Sequence, residues 1–401
     1  MKIAFLTPFL PLPADTGGKI RTYQILRTLI AKHDVFILTL SNNTSQDSIR
    51  TLESSGASVF CFDGTFSNET RKFTGIPDHV SAFRDPVLFQ RFQEQIEKIQ
   101  PDLIFCDETV MADYVPNLPK VKRVLSIQNI DHFRSWDVFC NLPWGRNRAQ
   151  WKRKAKALRE YWRLRDYCRA IFRRPWDQVI TCSEKDSSVV QKISTGLTTQ
   201  IVPNGVDCDF YRMTPPKASN TYRLAFVGSM FYPPNIDGVL YFFDQIYPIV
   251  KKEIDPISVT IIGHHPPPEI LALTKSHSEV VVTGSVPDVR DYLKEADTVI
   301  VPLRQGSGTS LKVLEAMASS RPVIATQVGS RGLDLRDGKD LLVAETAKAF
   351  AEALVDLREN PDRAKHISES ALERVQRYDW SVLTSGLEQS LASLLNDSPS
   401  T

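Results

Sequence analysis

TVIVPLRQGSGTSLKVLEAM, residues 298–317, opens with four β-branched residues, passes through a run of Gly, Ser and Thr, and ends in apolar residues at helical spacing. It reads as strand, loop and helix, the βα half of a doubly wound α/β unit. The same rhythm extends in both directions. Upstream stand KIAFLTPF, DVFILTL, ASVFCF, DLIFCDE, KRVLSIQN, DQVITCS and TQIVPN, then, after PNGVDCDFYRMTPPKASN (203–220), YRLAFVGS, ISVTIIG and EVVVTGS; downstream comes PVIATQ. Strands that are apolar throughout rather than alternating imply parallel sheets covered by helices on both faces. The Pro, Asn and Gly content of 203–220 marks a linker, so two Rossmann-like domains are expected: 1–204, 205–378, and a closing helix, 379–401, that returns toward the first. Helical patterns run over roughly 345–376 and 380–395. Two such domains facing a cleft suit a reaction that joins two substrates.

At 401 residues the chain is long enough for two cores. Its 49 basic and 47 acidic residues nearly cancel, so net charge does not suggest a nucleic-acid binder. The six cysteines have no zinc-ligand or disulfide spacing, which fits a reducing cytoplasm. MKIAFLTPFLPLP places one lysine before an apolar run, but prolines 8, 11 and 13 interrupt it, and it reads as a buried first strand. No run of 18 apolar residues predicts a membrane span.

In doubly wound sheets, ligands bind at the loops beyond the carboxyl ends of the strands. After TVIVPL, backbone N–H groups, the hydroxyls of Ser307, Thr309 and Ser310, and the small Gly308 form a potential anion cradle at a helix start. Lys312 falls in the first helical turn, where the helix dipole disfavours a cation by about 0.3–1 kcal/mol unless an anion is near. Glu315 follows one turn later, and a carboxylate accepting two hydrogen bonds suits a ribose diol. The competing reading is a surface Lys312–Glu315 pair with Ser or Thr as a simple cap. Gly17–Gly18, in ADTGGKIRT after the first strand, permits close approach of a ligand; Lys19 and Arg21 read as solvated. GSVPD (284–288) also follows a strand and is consistent with a plain helix-entry loop capped by Asp288. Asp207 and Asp209 have the spacing of a metal-binding pair, a reading rejected because they lie in the linker.

Three separated motifs, GSGTSLKVLEAMASSRPVIAT, IVPNGVD and PFLPLPADTGGKIRTYQILRTL, resemble in order and over nearly the whole chain the retaining GT-B glycosyltransferases of family 4. The resemblance implies a nucleotide diphosphate sugar (UDP-, GDP- or ADP-sugar) as donor, with no metal or other cofactor required. It makes Glu315 the ribose ligand and Val286 the backbone contact to the base. It brings the Gly17–Gly18 loop toward the donor phosphate, together with the loop after the first strand of the second domain, which contains Gly228. That family carries two glutamates separated by seven residues; Ser307 stands where the first is usual. It often carries a cation in FVGSMFYPPNIDG (226–238), which here has none, so Lys312 reads as the relocated charge that meets the diphosphate. On the acceptor side, Gln128 occupies the place of a frequent histidine in SIQNIDHF. Asn129 and Asp131 are the candidate catalytic groups there, with His132 alongside. The acceptor is expected to be a glycan, a lipid-linked glycan or a small hydroxylated molecule.

Between Arg146 and Arg174 there are twelve Lys or Arg against Glu160 and Asp166, and Trp136, Trp144, Trp151, Trp162 and Trp176 lie in or beside the stretch. Ala157, Tyr161, Leu164, Cys168 and Ile171 recur at helical spacing, which predicts one amphipathic helix. Its charged face is a membrane-surface patch, an anionic-acceptor patch or a solvated face. No RNA-reading motif or helix-turn-helix accompanies it, so no nucleic-acid partner is expected. The overall expectation is a cytoplasmic glycosyltransferase, peripheral to the inner face of a membrane. The alternatives are a nucleotide-sugar epimerase on the same fold and a basic binding protein without turnover.

Overall fold

The structure, a computed structural model, describes residues 1–41, 45–63, 77–141, 148–214, 216–306 and 309–396. The chain forms two compact units, Met1–Pro203 with Thr384–Thr401, and Asn204–Leu383.

The first unit holds β1 (Lys2–Thr7), β2 (Asp34–Ser41), β3 (Ser58–Asp63), β4 (Leu103–Asp107), β5 (Lys122–Ser126), β6 (Gln178–Thr181) and β7 (Thr199–Ile201), all parallel, in the order β3-β2-β1-β4-β5-β6-β7. The second holds β8 (Tyr222–Val227), β9 (Ile257–Ile262), β10 (Val280–Gly284), β11 (Thr298–Val301), β12 (Val323–Ala325) and β13 (Leu342–Val343), also parallel, in the order β10-β9-β8-β11-β12-β13. Each sheet starts in its middle, winds outward to one edge, and crosses back to fill the other side. Strand order therefore reverses between β1 and β4 and between β8 and β11, which are the places where such sheets open a crevice.

The apolar runs become strands because both of their faces are covered. Ile3, Ala4, Phe5 and Leu6 of β1 are inaccessible to solvent, as are Leu103, Ile104 and Phe105 of β4. Phe5 pairs with Phe105 in register, and their rings stack at 4.8 Å. In the second unit Phe226, Ile261, Val299 and Ile324 are buried at the sheet centre, and Phe242 and Phe350 cover it from flanking helices. Burial of each such side chain is worth about 1.5–3 kcal/mol.

Three details differ from the sequence expectation. β13 has only two residues, too few to show as an apolar run. The helical pattern over 345–376 breaks into Ala347–Glu359 and Pro361–Val375, because Pro361 cannot donate to the preceding turn and starts a new helix. Residues 203–220 pack into the second unit rather than hanging as a spacer. Val206 N donates to Tyr378 O and Trp380 N to Val206 O, Cys208 is buried, and the buried Arg321 guanidinium donates to Thr214 O at 2.8 Å. Gly205 is needed there, since a Cβ would lie 2.5 Å from Tyr378 O. The final helix, Trp380–Asn396, is anchored in the first unit by Thr28–Thr384 and Gln178–Ser390 hydrogen bonds. Among the described residues no helix is long and apolar enough to cross a membrane, and all six cysteines are unbridged.

Candidate functional site

In the second unit the loops after β8, β9 and β11 converge at the reversal point. The helix Leu311–Ala318 starts there, and Lys312 lies in its first turn. Its ammonium donates to Asn235 Oδ1 at 2.5 Å and sits 4.5 Å from the centroid of the Phe226 ring. The Lys312 ammonium also presses on Gly228, where a Cβ would lie 2.8 Å from Nζ and 2.7 Å from Asn235 Nδ2. Lys312 and Gly228, 84 positions apart, are thus brought together. Desolvation pushes Lys312 down to about 7, only partly offset by the charge of Glu315. No ion pair joins Lys312 to Glu315 among the described residues; Tyr211 stands beside the Glu315 carboxyl. Burial raises the Glu315 carboxyl above its ordinary range, with Tyr211 and Lys312 opposing.

Ser310 occupies the cap position of this helix but makes no side-chain cap bond, and its buried Oγ finds no partner among the described residues. The simple-cap reading therefore does not describe this helix start. Val313 N already donates to Ser310 O at 3.1 Å, which leaves the Leu311 and Lys312 N–H groups and the Ser310 hydroxyl available, among the described residues, to an acceptor-rich ligand. Thr309 lies beside the positive-φ Gly332, whose Cβ would meet Thr309 Oγ1 at 3.3 Å. Ser307 and Gly308 lie outside the described residues. Val286 is half-buried against the core after β10. In the same loop Asp288 accepts from Arg290 N (2.9 Å) and grips its guanidinium, which stacks 3.6 Å over Phe210. Asp207 caps Cys208–Tyr211, and Asp209 pairs with Arg212 at 3.1 Å.

In the first unit Gly17 opens the helix Gly17–Ile30, capped by Thr16. A Cβ on Gly18 would lie 2.7 Å from Gln128 Oε1, and Gln128 Nε2 donates to Gly18 O at 3.2 Å. Gln128 also reaches Thr22 Oγ1, which donates to the buried Asp107 at 2.6 Å, and Thr7 adds a longer bond at 3.4 Å. This chain of contacts links the loops after β1, β4 and β5. Desolvation raises Asp107 to about 6 against the pull of Thr22, Arg21 and Thr7. Glu108, next in line, holds φ 78 and ψ 145, a conformation that side chains disfavour, and burial with Asp107 and Asp131 nearby pushes its carboxyl far up. Asp131 begins the helix Asp131–Asn141 and accepts from Thr109 Oγ1 at 3.1 Å; Asn129 is exposed. His132 is buried 5.9 Å from the Tyr161 ring, and its pKa is lowered chiefly by desolvation.

Arg21 corrects the sequence reading. It is inaccessible to solvent and donates to Val202 O (2.7 Å) and Pro203 O (3.2 Å), because the Gly17–Ile30 helix turns it inward. Lys19 remains near the surface and pairs with Asp15 at 2.9 Å. Asn235, Tyr211, Asp107 and Glu108 were missed. Each is ordinary in its local sequence, and only its distant partner gives it meaning.

The basic stretch forms the helix Arg148–Phe172; Trp144, Arg146 and Asn147 lie outside the described residues. Leu164, Tyr167, Cys168, Ile171 and Phe172 face the core, and the neighbouring Asp131–Asn141 helix packs on it through Trp136 and Tyr161, 5.1 Å apart. Trp136, Trp151 and Trp162 remain 41%, 54% and 46% exposed. At 100° per residue, Arg148, Trp151, Lys152, Arg159, Trp162 and Arg169 fall on one side, and all are exposed. Not every cation is free for a partner: Lys154 is buried 5.1 Å from the Phe139 ring centroid, and Arg163 pairs with Asp78 at 3.2 Å.

Residues 221–360 match the family described as Glycosyl transferases group 1. The chain is 28% identical over 225 residues to the phosphatidyl-myo-inositol mannosyltransferase of Mycobacterium leprae, covering 53% of this chain and 59% of that one. The chain spans about half the length of the curated relatives it matches. Among solved structures it is similar to the sucrose-phosphate synthase of Thermosynechococcus elongatus, with TM-score 0.71 at 17% identity over 99% of this chain and 100% of that one. It is also similar to Anabaena Alr3699/HepE, crystallised with UDP, with TM-score 0.68 at 15% identity over 98% and 100%. At those identities the structural likeness shows the fold, which is GT-B, and the resemblance to the group 1 glycosyl transferases is carried by residues 221–360 of the second unit.

Proposed function

We propose that the protein transfers a sugar from a nucleotide diphosphate sugar to a hydroxyl of a glycan, lipid-linked or small-molecule acceptor, with retention of anomeric configuration. The observation that carries this reading is the uncapped helix start at Ser310, with its unpartnered hydroxyl and the Lys312 ammonium held against Gly228. A diphosphate there satisfies the orphan N–H groups and supplies the anion that a first-turn lysine lacks. Glu315 receives the ribose hydroxyls, and the loop at Val286 holds the base. The UDP in the HepE structure supports a nucleotide donor for this fold.

In the transfer, the bond from the anomeric carbon to the phosphate oxygen breaks as the acceptor oxygen bonds on the same face. The acceptor proton passes to the departing phosphate, so no strong protein base is required. Lys312 meets the charge that develops on the leaving group, where preorganised electrostatics contribute most to rate. Asn129 and Asp131, at the loop after β5, orient the acceptor. The exposed Trp and Arg side of the Arg148–Phe172 helix holds the enzyme on an anionic membrane surface, bringing it to a lipid-linked acceptor.

Thermal-shift titration with UDP-, GDP- and ADP-sugars tests the donor, and proton NMR of the product reads the anomeric configuration. One donor raising the melting temperature and giving a retained product is expected. No stabilisation by any donor overturns the reading, and isomerised donor without acceptor favours an epimerase.

A further inference from the structure

Asn235 lies in the first turn of the helix Pro233–Tyr241, 5% exposed, and joins the two loops of the second unit. Its Nδ2 donates to Ser229 O at 2.8 Å, and its Oδ1 accepts from Lys312 at 2.5 Å. The orientation of the amide is fixed, because a carbonyl can only accept and an ammonium can only donate. Gly228 leaves the space in which both groups meet, since a Cβ there would strike each of them. The Phe226 ring closes the other side of the ammonium.

The type of side chain matters as much as the contact. A carboxylate at this position would also accept from Lys312, but it would neutralise the ammonium and compete with an incoming anion. An amide orients without neutralising. Around Lys312, Phe226, Gly228 and Asn235 carry no titrating group; Glu315, one turn on and beside Tyr211, acts on it from its own helix. His264 lies 2.8 Å from the Ser229 hydroxyl.

We propose that Asn235 is the positioning residue for Lys312: clamped between the Ser229 carbonyl and the ammonium, its amide fixes that charge against Gly228 and leaves it uncompensated for the diphosphate. This rests on the reading of Lys312 as the diphosphate ligand.

The test is calorimetric titration of UDP, GDP and ADP, each from pH 6 to 9, into wild type, Asn235→Asp, Asn235→Ala and Lys312→Met, and into Lys312→Met combined with each Asn235 change. Melting curves identify any variant that fails to fold. For the nucleotide that binds wild type, affinity should fall on the alkaline side as Lys312 loses its proton. Asn235→Asp keeps an acceptor but adds a counter-charge. It should weaken binding at pH 6 by about tenfold and move the alkaline limb up by about one pH unit or more. Asn235→Ala should weaken binding without moving the limb upward. In the Lys312→Met background neither change should matter by more than about twofold.

Equal losses in Asn235→Asp and Asn235→Ala with an unmoved limb, or losses that persist without Lys312, would overturn the positioning role and leave the diphosphate reading intact. Lys312→Met binding all three nucleotides as wild type does would overturn both.

Discussion

Replacing Lys312 with Met removes the ammonium while keeping a stem of similar length. Lys312 has a folded-state pKa of about 7, below its ordinary 10.5, and desolvation is the main cause. Between those values the unfolded chain binds a proton that the folded protein does not, so wild-type stability rises with pH across that window and loses this contribution as pH falls through 7. From pH 7 to 8.5 the linkage is worth about 2 kcal/mol. Lys312 keeps part of its surface in water, so we take about half, ~1 kcal/mol, after solvent screening. For a unit of this size that is about 2–4 °C in melting temperature. The assay is differential scanning calorimetry of both proteins at pH 6 and pH 8.5 without ligand. Wild type should gain about 2–4 °C relative to Lys312→Met at the higher pH. The absolute offset also contains the bond lost by Asn235 and the cation–π contact, which is why the change with pH is the decisive quantity. Parallel pH dependences would show an ordinary, solvated lysine and refute the buried contact. With donor bound, the same substitution should reduce turnover more than affinity, because the leaving diphosphate gains charge as the glycosidic bond breaks.

Glu315→Ala should weaken nucleotide binding by about 1.5–3 kcal/mol with the fold intact, read by calorimetry; unchanged affinity would reject the ribose assignment. Glu108→Gly should raise the melting temperature of the first unit by relieving about 1 kcal/mol of backbone strain at φ 78, whereas Glu108→Ala, which retains a Cβ, should not. Sedimentation with vesicles should show stronger binding to anionic than to neutral lipid, weakening with salt, and Lys152, Arg159 and Arg169 changed together to Gln should reduce it; equal partitioning to both vesicle types would exclude the membrane surface.

The sequence by itself determined the architecture. Strands buried on both faces must be apolar throughout, and the helices between them must be amphipathic, so the alternation of KIAFLTPF, DVFILTL and their successors announces two parallel sheets before any contact is known. The helix start at Ser310 and the misplaced charge of Lys312 were equally legible, because capping and the helix dipole act within one turn. Only the tertiary structure decided what those local features touch. Lys312 meets Asn235 and Gly228 across 77 and 84 positions, and Glu315 meets Tyr211 across 104. Arg21, polar and expected in solvent, is carried inward to the carbonyls of Val202 and Pro203. Asp107 becomes a buried carboxyl because Thr22 and Thr7 converge on it from the strand and helix beside it. Periodicity is a property of neighbours along the chain. Desolvation, hydrogen-bond partnership and the availability of a charge belong to neighbours in space, and the winding order of the sheets sets those.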